Sequence, residues 1–167
     1  MGIRDSEISR LVSYLKGLGV VVKFSSKKNA PADAECAIDN SEIIVYLKYN
    51  KSKTQIILSL LHEAGHAVST IHEKNRKIDP KLDKALGKEE HKLSKKERKV
   101  IYDDELVSAS YWDIIVKDVD LKLPKWKIDA QKEIDLWVYK FYYTKGFFPS
   151  SQVKREKIKE IIQKWRP

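Results

Sequence analysis

One cysteine, Cys36, stands among 167 residues, so no intramolecular disulfide can form and a secreted cystine scaffold is excluded. The longest unbroken apolar stretches run only a few residues, far short of the roughly 20 that span a bilayer. In the opening residues MGIRDSEISR no apolar run follows the basic residue, so no signal peptide is expected. There is no internal repeat and no low-complexity linker. What is present is 42% hydrophobic and 34% charged residues, enough apolar material for a true core. A chain of this length buries about 70% of its extended surface on folding. The expectation is a soluble, cytoplasmic, single domain spanning residues 1–167 with no membrane partner.

The net charge of +9 raises the question of nucleic acid. Two stretches supply the whole excess. Residues 73–99 hold 11 Lys/Arg against 6 Asp/Glu, and residues 150–167 hold 6 against 2. The first stretch mixes its signs and has no aromatic residue to stack on a base, so it reads as a solvated mobile loop or surface helix. A basic nucleic-acid-associated protein is the least favoured of three readings.

Periodicity gives the elements. Asp5 or Ser6 caps a helix to about Leu18, with Ile8, Leu11, Val12, Leu15 and Leu18 on one face. Val20–Phe24 reads as a short β-branched strand. After a loop around Pro31, Glu35–Ile38 and Glu42–Tyr49 read as two strands about an Asp39-Asn40-Ser41 turn. Thr54 begins a helix to about His72. Pro80 and Gly87 break the basic segment. Ser94 and Glu97 have the spacing of a capping box for a helix from Ser94 to about Lys117. Beyond Pro124, Ile134, Trp137, Val138 and Phe141 mark one amphipathic helix. Past a turn at Gly146-Phe147-Phe148-Pro149, Ile158, Ile161, Ile162 and Trp165 mark another. The predicted fold class is α+β, with a small, mainly antiparallel N-terminal sheet packed on helices and further helices at the C-terminus. Trp126, Trp137 and Trp165 read as core residues, and Cys36 as a buried strand residue.

The chemistry concentrates in His62-Glu63-Ala64-Gly65-His66, an H-E-x-x-H sequence. Only a helix brings residues four apart onto one side, with Cβ atoms about 5–6 Å apart. Ile57, Leu60, Leu61, Ala64, Val68 and Ile71 fall on one apolar arc, at about 100° per residue. His62 and His66 occupy the opposite arc, where two neutral imidazoles can bind Zn²⁺. Glu63 then stands beside the metal's water without ligating. Two histidines on the polar face of a surface helix are the plainer alternative. Against it, Gly65 costs a helix about 1 kcal/mol relative to alanine, which suggests a needed close approach.

A catalytic zinc takes three protein ligands and an open position. His72 completes the metzincin spacing, but Ser69 stands where that pattern needs a turning glycine, and the only methionine, Met1, cannot form a Met-turn. Glu105 shares a helical line with Ile101, Ala109, Trp112 and Val116. A carboxylate in such a line needs a partner, because an isolated buried charge costs several kcal/mol. Asp103 falls on the polar arc with Lys99, Ser110 and Lys117. Asp104, facing Val100, Val107 and Tyr111, competes either as ligand or as hydrogen-bond partner to a histidine. Glu105, Asp104 and His72 therefore stand as candidates in that order.

The run Leu60-Leu61-His62-Glu63-Ala64-Gly65-His66-Ala67-Val68, followed by Glu105-x-x-Ser108-Ala109-x-Tyr111, resembles the small zincins of the ImmA/IrrE type. These are compact metallopeptidases frequent in phages, mobile elements and bacterial regulatory operons. The resemblance covers roughly Val20 to Val116, giving a zincin core over about 20–117 and a helical extension over about 124–167. It implies zinc on His62, His66 and Glu105, with Glu63 as general base, in an H-E-x-x-H…E hydrolase. It also implies an intracellular protein substrate, often a helix-turn-helix repressor. Tyr102, Tyr111 and His72 are open candidates for an oxyanion donor. Strand Glu42–Tyr49, were it a sheet edge, would hold an extended substrate. A zincin-fold module that sequesters a regulator without turnover is the second reading.

Overall fold

The computed structural model describes residues 6–27, 32–37, 41–47, 49, 52–72 and 80–167. Asp5, the loop at Pro31, Ile38 with the Asp39-Asn40 part of the turn, and the start of the basic segment lie outside these. The architecture is α+β, with seven α-helices and one three-stranded sheet among the described residues. The chain divides by contacts into two compact units, Met1–Arg76 with Ser110–Lys122, and Lys77–Ala109 with Leu123–Pro167. No helix among the described residues is long and apolar enough to cross a membrane.

In the first unit, α1 (Ser6–Gly17) buries Ile8, Leu11 and Leu15, as its periodicity dictates. Gly19, at φ +85°, takes the left-handed conformation that ends the helix and turns the chain into β1 (Val21–Ser25). β2 (Ala34–Cys36) and β3 (Glu42–Tyr46) form the expected antiparallel pair, with Cys36 opposite Ile43. β1 joins β3 in parallel from Val21↔Glu42 to Ser25↔Tyr46, so the sheet is mixed, in the order β1-β3-β2. β3 is therefore the central strand. Both its edges are already paired, which excludes it as a β-addition edge for a substrate. Ile43 and Val45 alternate into the core, whereas Cys36 is only half-buried.

Helix α2 (Lys53–His72) packs on β2, β3, α1 and α5 (Trp112–Val119). Ser52 accepts from the backbone N–H of Gln55 at 3.2 Å and opens the helix. Ile57, Leu60, Leu61, Ala64 and Val68 are fully buried, the arc that their spacing predicts. A buried carboxylate, Glu7, accepts from the backbone N–H of Lys122 at 2.7 Å and pairs with Lys53. One acid thus ties the start of α1 to the start of α2 and to the chain after α5.

In the second unit, the described part of the basic stretch includes a short surface helix, α3 (Pro80–Leu86), and a 3-10 turn at Glu90–Lys92. Ala85 and Leu93 pack with Tyr142 into a small core. Helix α4 (Lys95–Ser110) carries the predicted capping box. Ser94 N–H donates to Glu97 Oε2 at 2.9 Å and Glu97 N–H donates back to Ser94 Oγ at 3.3 Å. The single helix expected to reach Lys117 is instead interrupted at Tyr111, where α5 begins. Helices α6 (Lys125–Lys145) and α7 (Ser151–Trp165) form an antiparallel hairpin burying Ala130, Ile134 and Ile161, with Ile158 and Trp165 against them. Gly146 (φ +85°) caps α6, and Ser150 Oγ accepts from Val153 N–H at 3.4 Å to start α7. Trp126, Trp137 and Trp165 are half-buried rather than enclosed.

Candidate metal centre

Because α2 is regular through its whole length, His62 and His66 emerge one turn apart. Their ring centroids are 5.3 Å apart at 62°, and both rings are half-buried. The opposite face is occupied by the aliphatic arc, so the imidazoles are presented away from the core by the same packing that fixes the helix. Trp112, at the start of α5, stands edge-on to the His62 ring at 6.0 Å and 80°. Its side chain is 1% exposed. That contact limits the orientations open to His62. The helical spacing puts Trp112 on the Glu105 line, and nothing local indicates that it meets a histidine so far back in the chain.

Glu105 lies on the line of α4 that also carries Ile101 and Ala109, and it is 7% exposed. The donor atoms of His62, His66 and Glu105 all lie within 4.8 Å of one another, a group that could hold a metal ion. The donor set fits such an ion chemically. Two imidazole nitrogens and one carboxylate oxygen match three-ligand catalytic zinc sites, in which a fourth position stays open. An ion held there would also stand beside the buried Glu105 carboxylate as a cation.

The other candidates fall elsewhere. Asp103 is exposed and takes Lys99 Nζ at 2.6 and 2.8 Å, the solvated role its arc implied. Asp104 is half-buried and is not part of the three-residue group. His72 ends α2 exposed, its ring 5.9 Å from Tyr111. The helix runs straight past Ser69, whose hydroxyl donates to the His66 carbonyl at 2.9 Å, so no turn brings His72 back. Tyr102 stacks on Tyr143 at 5.9 Å and 6°. Glu63, half-buried, follows His62 on α2. No family model, no curated protein and no solved structure matches the chain.

Proposed function

We propose that this protein is a zinc-dependent peptidase of the small ImmA/IrrE zincin type, hydrolysing a peptide bond in an intracellular protein, with a helix-turn-helix repressor as the expected kind of substrate. One observation carries the reading: Glu105, buried on a separate helix, comes to the two imidazoles of an H-E-x-x-H helix. His62, His66 and Glu105 would hold the ion. Zinc bound there would polarise the scissile carbonyl and lower the pKa of a bound water toward about 7. Glu63 takes a proton from the attacking water and returns it to the departing amine, a general acid–base role worth about 10²–10⁴ in rate. Trp112 keeps the His62 ring in place by packing.

Metal analysis of purified protein tests the ligand set. Wild type and Asp104→Ala should each carry one zinc per chain, and Glu105→Ala should carry none. Zinc retained in Glu105→Ala would overturn this ligand set and return the third place to Asp104 or His72. Hydrolysis of labelled casein by the zinc-loaded chain, abolished in Glu63→Gln with its zinc intact, tests the activity. A regulatory effect that survives Glu63→Gln would instead identify a sequestering module.

A further inference from the structure

A second concavity lies wholly within the second unit, among α4, α6 and α7. It is an open depression of about 430 Å³, inside the size range of small-molecule sites, and Trp137 and Trp165 form part of its wall. Its two acids are already engaged. Asp129 accepts Lys125 Nζ on both oxygens at 2.8 and 2.9 Å. Glu133 Oε2 takes Lys164 Nζ at 2.7 Å and the Trp165 indole N–H at 2.6 Å. Lys164, and after it Trp165, hold the Glu133 carboxyl below its usual range, so it stays ionised and committed to those donors.

Among the cations of the wall, Lys140 stands apart. Lys157 pairs with Glu160 at 2.6 Å, outside the cavity, but Lys140 is exposed and makes no ion pair among the described residues. Flat aromatic walls accept a planar ring, and an uncompensated ammonium at the rim attracts an anion. A cationic ligand would have to displace Lys125 or Lys164 from acids they already satisfy.

We propose that this cavity binds a small planar anion, an aromatic ring bearing a carboxylate or phosphate, with the ring between the indoles and the charge at Lys140. The inference is independent of the metal centre. Indole N–H resonances of the full-length ¹⁵N-labelled protein report on it, assigned by Trp→Phe variants. Indole-3-acetate and AMP supply the two anion chemistries, and indole-3-acetamide and adenosine are their neutral counterparts.

The expected result is a shift of the Trp137 and Trp165 signals, but not those of Trp112 and Trp126, by at least one anion. That anion should bind about tenfold more tightly than its neutral counterpart, and the surface variant Lys140→Gln should erase the difference. Whichever anion binds identifies the carboxylate or the phosphate as the preferred head group. The proposal is overturned by silence of both signals up to about 10 mM probe, by equal anion and neutral affinities, or by an anion preference that survives Lys140→Gln.

Discussion

Trp112 heads the fully buried side chains by volume, and its indole Nε1 is enclosed without a hydrogen-bond partner among the described residues. A buried polar group left unpaired costs about 1–3 kcal/mol, so the ring is kept for its shape and for its edge-on contact with His62. Trp112→Phe removes the orphan N–H while keeping an aromatic ring, and in urea unfolding it should cost less than truncation to alanine. Trp112→Ala leaves a void beside His62 and should cost about 3–5 kcal/mol. Equal losses in the two variants would mean that the full bicyclic ring, and not merely an aromatic one, is needed beside His62. At this scale much of the candidate site was legible. The spacing of His62 and His66 fixes their common face, and Glu105 is the one acid in an otherwise apolar line. The meeting of Trp112 with His62 was not legible, because no local periodicity encodes a contact between separate helices.

The start of α4 gives the clearest case of an element settled by its own residues. Glu97 is drawn down from 4.5 to about 2, chiefly by the hydrogen bond from Lys88 and then by those from the Ser94 backbone and hydroxyl. The sign follows from that depression. The stabilisation is fully present above the ordinary value of 4.5 and is lost as pH falls toward about 2. Ser94→Ala should therefore move the Glu97 midpoint, followed by NMR, upward toward 4.5, and speed amide exchange in the first turn of α4. The lost cap costs about 1 kcal/mol. An unmoved midpoint would assign the depression to Lys88 and the residue-94 backbone N–H, which the substitution keeps. Elements set by capping, Gly and Pro could be read in advance: the α4 start, the Gly146 turn, the α2 arc. Two features could not. The parallel pairing of β1 with β3 depends on partners distant in sequence. The interruption at Tyr111 falls where the residue keeps a right-handed helical backbone, φ −84° and ψ −12°, and no Gly or Pro announces it.

Across the whole molecule, part of the positive charge is paired among the described residues. Within the two basic stretches Lys88 pairs with Glu97, Lys92 with Glu89, Lys99 with Asp103, Lys157 with Glu160 and Lys164 with Glu133. Pairs of this kind are what solvated helices of mixed charge carry. Metal is the stronger global lever, because the donors of the candidate centre are assembled only in the folded chain. An ion that binds the native state alone stabilises it by about 2.7 kcal/mol at a hundred times its Kd. For a chain of this size each kcal/mol moves Tm by about 2–4 °C, so saturating zinc should raise Tm by about 5–10 °C over chelator-treated protein. Glu105→Ala should lose most of that rise, since two imidazoles on one helix turn bind weakly and histidines of the unfolded chain compete for the ion. His72→Ala should keep all of it, because His72 stands exposed at the end of α2 and outside the donor group. Calorimetry of the three proteins with zinc and with chelator separates these outcomes. A wild-type Tm indifferent to both would mean that the imidazoles and the carboxylate meet without a cation to join them.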